Sequence, residues 1–197
     1  MKKVFLIFIL FISIASQAQT VNEIGKPFIT NWSPKDYEAH LQNWAIIQDS
    51  RGIIYVGNSS GVLEFDGVSW RLLDYGENSF ARSLAIDKSG RIFVGAKNEI
   101  GYYLPVNEFI KNNKEKRKLE RPFLSLLKYV PLEDREFRDV WKTVVSSKGV
   151  FFQTDKYLFR YIPGEEKFEE GKIHVWKSET GFGGMSIVDD RIYIVQH

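Results

Sequence analysis

Asn43-Trp44-Ala45-Ile46-Ile47-Gln48-Asp49-Ser50-Arg51-Gly52-Ile53-Ile54-Tyr55-Val56-Gly57-Asn58 is the stretch that decides the fold. Two runs of strand formers, β-branched and aromatic, flank the polar tetrapeptide Asp49-Ser50-Arg51-Gly52. In such a turn the Asp carboxylate accepts backbone N–H groups, and Gly supplies the positive φ that closes a hairpin. Asn58-Ser59-Ser60-Gly61 then leads into a third run at 62–65, and Asp66-Gly67, a strong hairpin signal, into a fourth at 69–73. Residues 44–73 therefore read as four consecutive antiparallel strands.

The unit recurs. Ser83-Leu84-Ala85-Ile86-Asp87-Lys88-Ser89-Gly90-Arg91-Ile92-Phe93-Val94-Gly95 matches residues 45–57 position for position, 38 residues later. Looser copies begin at Lys142-Thr143-Val144-Val145-Ser146-Ser147-Lys148-Gly149 and at Met185-Ser186-Ile187-Val188-Asp189-Asp190. A four-stranded meander repeated at about forty residues is the signature of propeller blades. The expected fold is all-β, an incomplete β-propeller of four-stranded antiparallel blades at 43–73, 82–127 and 139–176, with a truncated blade at 184–197. An insertion at 107–121 displaces the second blade's fourth strand, and the third copy carries Gln153 where the first two carry Gly57 and Gly95. Phe28-Ile29-Thr30-Asn31-Trp32 alternates apolar and polar side chains and reads as a lead-in strand whose partner would be a later blade. A propeller needs roughly four to eight blades to close. The chain thus reads as the N-terminal fragment of a longer protein.

Ahead of the repeats, Lys2 and Lys3 precede an apolar run at 4–14 and the small-residue pattern Ser16-Gln17-Ala18. This is the pattern of a secretory signal peptide, residues 1–18, and its apolar run is too short for a permanent membrane span. The whole chain has 197 residues with 27 Lys plus Arg against 25 Asp plus Glu; losing the two signal lysines leaves 25 of each. The exported product is neutral, which together with export argues against nucleic acid as a partner. With no cysteine in the chain, burial rather than a disulfide framework must hold the fold.

The stretch 43–58 together with Gly61-Val62-Leu63-Glu64-Phe65-Asp66-Gly67-Val68-Ser69-Trp70-Arg71-Leu72 resembles the extracytoplasmic sensor region of Bacteroidota signalling proteins of the two-component-regulator propeller and triple-tyrosine type. Pro27-Phe28-Ile29-Thr30-Asn31-Trp32-Ser33-Pro34-Lys35-Asp36-Tyr37 and Leu132-Glu133-Asp134-Arg135-Glu136-Phe137-Arg138-Asp139-Val140-Trp141-Lys142 are similar to that family as well. The resemblance implies a non-catalytic, ligand-sensing propeller on the periplasmic side, tethered to the membrane in the full-length protein. In the family a triple-tyrosine β-domain, a membrane helix and a histidine-kinase or helix-turn-helix output follow in the same polypeptide. These downstream domains, and a second copy in a homodimer, are the partners it implies, besides an unidentified ligand for which carbohydrate is a candidate.

The residues themselves carry little catalytic signal. His40, His174 and His197 are far apart in sequence, and no nucleophile elbow, paired-His metal motif or phosphate loop is present. Neither a metal nor a cofactor is expected, and Asp49, Asp66 and Asp87 sit where turn chemistry wants Asp. A propeller glycosidase or polysaccharide lyase stays open as an alternative because the scaffold hosts such chemistry; a protein-docking propeller is another. The basic run at 111–121 reads as a solvated insertion. Trp32, Trp44, Trp70, Trp141 and Trp176 read mainly as packing residues, with sugar stacking as the functional option.

Geometry narrows the site further. In a four-stranded meander the turns after strands one and three lie at one end, and the loops after strands two and four at the other. The long connections, at 33–42, 75–81, 132–138 and 177–183, are all of the second kind. Binding residues concentrate on loops carried by a rigid scaffold. The candidate ligand-binding residues are therefore His40, Asn43, Asn58, Arg82, Lys97, Asn98, Arg138 and Lys142. For the leader, the expected result is a mature N-terminus at Gln19, read by mass spectrometry of the exported product; retention of residues 1–18 would refute the signal assignment.

Overall fold

The computed structural model describes Gly25, residues 29–73, Tyr75, and residues 80–105, 121–164 and 171–197. The signal segment 1–18 and most of the basic insertion lie outside the described residues. The fold is all-β and propeller-like. β1 (Asn43–Gln48), β2 (Ile54–Asn58), β3 (Gly61–Phe65) and β4 (Trp70–Leu73) form one meander sheet. β5 (Ala81–Ile86), β6 (Ile92–Ala96), β7 (Glu99–Tyr103) and β8 (Phe123–Ser125) form the second. β9 (Lys142–Ser146), β10 (Gly149–Gln153), β11 (Tyr157–Ile162) and β12 (Lys172–Lys177) form the third. β13 (Phe182–Val188) and β14 (Arg191–Gln196) make a two-stranded fourth sheet. A short helix, α1 (Pro34–Tyr37), precedes β1, while residues 29–33 belong to no strand. Trp32 rests on the first blade, its ring packed against Phe65 and Trp70 at 5.3 and 6.0 Å between centroids, and Phe28 lies outside the described residues.

The turns use their aspartates as the sequence chemistry demands. Asp49 Oδ1 accepts from the backbone N–H of Arg51 and Ile53, Asp87 Oδ1 from those of Ser89 and Arg91, and Asp66 Oδ1 from those of Val68 and Ser69. Partial burial pushes the Asp49 carboxyl up, but the hydrogen bonds from Arg51 and Ile53 outweigh it and leave the group below its ordinary value. At Asp66 the N–H groups of Ser69 and Val68 lower the carboxyl directly.

A sheet four strands wide hides its apolar faces only against its neighbours. Tyr55, Val62 and Leu73 of the first blade pack with Leu84, Ile92, Val94 and Tyr103 of the second. The second and third blades share the largest cluster, with Phe93 and Ile100 against Val140, Val150, Phe152, Phe159 and Tyr161. Val144, Phe151 and Leu158 meet Met185 of the fourth. Fully burying each such side chain contributes roughly 1.5–3 kcal/mol.

Near the inner strands the blades approach so closely that the second strand carries glycine at the contact. A Cβ on Gly57 would lie 3.2 Å from the Ala81 carbonyl oxygen of the next blade. On Gly95 it would lie 2.4 Å from Val140 Cγ1, 2.5 Å from Ser83 Oγ and 2.7 Å from Thr143 Oγ1. Ser83 seals the same spot by donating to the Val140 carbonyl at 2.8 Å and bonding Thr143 Oγ1 at 2.7 Å.

One part of the basic run is not solvated. Arg121, with a side chain only 1% exposed, reaches from the second blade to the first. It donates to Glu64 Oε2 at 3.0 Å and Tyr55 Oη at 3.1 Å, and through Nε and Nη2 to the Leu104 carbonyl. Arg71 takes the other Glu64 oxygen. Positive charge in the sequence suggested water, but a buried carboxylate across the blade interface claims this residue.

Gly95→Ala is expected to destabilise the chain by about 1–3 kcal/mol, as overpacking does, measured by urea unfolding; an unchanged midpoint would show that the blades can slide apart freely. The lowered carboxyls of Asp49 and Asp66 add stability that is present above about pH 4 and lost as pH falls through their folded values. The thermal midpoint should therefore drop on acidification below about pH 4, and less steeply in Asp66→Ala.

Candidate functional site

The starts of β1, β5 and β9 lie at the same end of their sheets as the loops after β2, β6 and β10, because consecutive strands run antiparallel. At this end three side chains from three blades converge. The Arg82 guanidinium carbon lies 3.9 Å from the centroid of Trp44 and 5.7 Å from that of Trp141, and the two indoles are 6.5 Å apart edge to face. Arg82 Nε donates to Asp139 Oδ1 at 2.7 Å. Its Nη1 is buried with no hydrogen-bond partner among the described residues.

Each indole is held upright by the strand-two to strand-three loop of its own blade. Trp44 Nε1 donates to Ser59 Oγ at 3.0 Å, and Trp141 Nε1 to Asp155 Oδ1 at 2.8 Å. With their N–H groups satisfied, the rings remain 42% and 44% exposed. Half-exposed, rigidly oriented indoles beside a cation suit a ligand with an apolar ring face and polar edges. Sequence reading took both tryptophans for packing residues. The signal was available, since Trp44, Arg82 and Trp141 each stand immediately before the first-strand residue that starts the repeat, Ala45, Ser83 and Lys142.

The eight candidates divide into groups. Asn58 is fully buried: its Nδ2 donates to the His40 carbonyl at 2.6 Å and to Asn43 Oδ1 at 2.7 Å, while its Oδ1 accepts from Ser60 N–H. These bonds tie His40, Asn43 and Asn58 into one patch, with Asn58 as organiser rather than contact. Asn98 and Arg138 form a second patch, both with left-handed φ, at 53° and 62°. The Asn98 N–H donates to the Arg138 carbonyl at 2.9 Å, and Asn98 Oδ1 accepts from Arg138 N–H. Lys97 pairs in an isolated bridge with Asp139, so this patch abuts the carboxylate that holds Arg82. Lys142, exposed at the start of β9, follows Trp141 directly.

No protein-family model and no curated protein matches the chain. Among solved structures it is similar to the extracellular domain assigned to a hybrid two-component system, BT3049, of B. thetaiotaomicron. The identity is 18%, the TM-score 0.56, and the match covers 88% of this chain and 22% of that one. The BT4673 extracellular domain of the same organism, assigned to a one-component system in one structure and a hybrid two-component system in another, matches at 18% identity. Its TM-scores are 0.50 and 0.51, over 78% of this chain and 19% of that one. The fold is that of these extracellular regulator domains. This chain spans about a fifth of each of theirs.

The opposite end of the sheets also carries a groove, of about 450 Å³, between the Asp49–Arg51 and Asp87–Gly90 turns. Its carboxylates are committed to their own turns and to Arg51 and Arg91, so it presents spent acceptors. Among the described residues no three His, Asp or Glu side chains cluster in a way that could hold a metal ion. No helix there is long and apolar enough to cross a membrane.

Arg82→Ala should release both indoles and leave Asp139 without its guanidinium. The expected result is a red-shifted tryptophan emission and a stability loss of about 1–3 kcal/mol, with Arg82→Lys recovering only part of it because an ammonium cannot stack as a plane. Emission identical to wild type would mean that the stack does not hold the rings.

Proposed function

We propose that this chain is the extracytoplasmic input of a membrane-bound one-component or two-component regulator, a non-catalytic propeller that binds a ligand at its loop-rich end. The observation that carries the reading is the Trp44–Arg82–Trp141 stack, in which three successive blades each place one side chain against a common, half-exposed aromatic surface. Carbohydrate is the ligand class that such indole faces suit best. The fold shared with extracellular regulator domains supports export and tethering, as does the leader read at residues 1–18.

A ligand that touches three blades at once favours one mutual angle between them, and a propeller population shifts toward it in proportion to that differential affinity. Downstream domains of the same polypeptide, or a second copy in a homodimer, would receive the shift. The aspartates that an enzymatic reading would recruit, Asp49, Asp66 and Asp87, are saturated by their own turn N–H groups.

The test is genetic and uses the full-length protein in its host. Transcripts are sequenced during growth on a panel of purified glycans for the wild type, a deletion, and a Trp44→Ala/Trp141→Ala allele. The expected outcome is a glycan-dependent response lost in the deletion and equally lost in the double substitution, with the exported protein at wild-type level. A wild-type response from the double substitution would overturn the proposal.

A further inference from the structure

The seat between blades changes character at the third one. In the first two blades the seat pairs a small residue on the first strand with glycine on the second: Ala45 with Gly57, and Ser83 with Gly95. In the third blade the corresponding ladder pair is Lys142 with Gln153. Two long polar side chains thus stand where the next blade should sit closest. The facing wall differs in degree. β1 and β5 each leave one residue, Trp44 and Arg82, out of the ladder register at this place, whereas β13 leaves two, Gly183 and Gly184, and a Cβ built on Gly184 would meet nothing within 4 Å. Bulges of this kind re-aim backbone and often adjoin functional sites. The result is a groove of about 530 Å³ between the third and fourth blades, lined by Trp141, Lys142, Gln153, Asp155, Gly183 and Gly184. That is the size range of a small-ligand site.

From this geometry we infer a binding site for a neutral, hydroxyl-bearing ring such as one hexose unit, seated in the Lys142–Gln153 groove with its apolar face on Trp141. The inference rests on the ligand-sensing reading and assigns it a place and a charge. The Lys142 ammonium has no hydrogen-bond or ion-pair partner among the described residues. Gln153, 4% exposed, uses its Nε2 on the Thr154 carbonyl and keeps Oε1 open as an acceptor. Asp155 gives one oxygen to the Trp141 N–H and keeps the other. Phe182, Met185 and His197 complete the lining, which thus offers an ammonium, a carboxylate, an amide acceptor, an imidazole, and the ring faces of Trp141 and Phe182. Lys142 and Asp155 offset each other, which disfavours an ionic ligand, while hydroxyls satisfy such a mixed set because each both donates and accepts. A polar ligand is required as well, because an apolar one would leave Gln153 Oε1 desolvated and unpaired.

The experiment uses the exported chain and titrates cellobiose, maltose, mannobiose and lactose, with digalacturonate as the anionic comparison, by calorimetry and tryptophan fluorescence. At least one neutral disaccharide should bind and change the emission. Gly184→Leu, which fills open space, should weaken that binding about tenfold or more. Gln153→Gly, which restores the seat of the first two blades, should do the same, and it serves as the second variant if Gly184→Leu folds poorly. Binding unchanged in both variants but lost in Trp44→Ala would overturn the groove while leaving the sensing proposal intact. Binding of digalacturonate alone would overturn the neutral-ligand assignment. Absence of binding by every neutral disaccharide at millimolar concentration would overturn the inference, the sensing proposal then being decided by the transcript experiment.

Discussion

Everything in this chain hangs on the close approach of one blade to the next. A single four-stranded sheet cannot bury enough apolar surface to offset its own ordering. The face of Tyr55, Val62 and Leu73 is hidden only if the next blade lies against it. That approach is limited by the Ala81 backbone at Gly57 and by the Val140 and Thr143 side chains at Gly95, where a Cβ has too little room. Where the glycine is present, the neighbouring strand docks and is sealed, as by Ser83 on Val140 and Thr143. Where it is replaced by Gln153, the blades still share Val144, Phe151, Leu158 and Met185 deeper in the sheet, and at the loop-rich end a groove opens beside the Phe182 N–H to Asp155 carbonyl bond that joins them.

Charges bridging the blades follow from the same constraint. Once apolar faces meet, polar groups at their margin must be paired or exposed, since a buried orphan costs more than a bond returns. Arg121 meets this by spending its donors on Glu64, Tyr55 and Leu104. Removing one partner of such a buried pair typically costs about 3–5 kcal/mol, because the other is left charged and unpaired. Arg82 resolves the same problem differently, with one carboxylate and two indole faces in place of a full set of hydrogen bonds.

The candidate surface is a by-product of repetition. One column of the repeat, the residue before the seat on the first strand, points toward the same end in the first three blades. Two tryptophans and an arginine occupying that column make a platform, and the next column supplies Ala45, Ser83 and then Lys142. A binding surface thus arises from changing residues at fixed repeat positions while the strands that carry them stay as they are. This division of labour between scaffold and loop end is what lets one fold serve many ligands.

The amino-acid sequence alone spells out the strands, their antiparallel order and the turns. Those depend on neighbours: period-two alternation, Asp-Gly chemistry and a repeat at 38 residues are all local signals. It also pointed to the loop-rich end and to Arg82 and Lys142, because connection length is readable along the chain. The packed structure is what brings Trp44, Arg82 and Trp141 together, saturates and buries Asn58, and draws Arg121 out of the solvated run to Glu64. It alone turned Gln153 from an irregularity of the repeat into the wall of a groove. The reason is physical: these contacts join residues dozens of positions apart through the curvature from blade to blade, and no local pattern encodes that curvature.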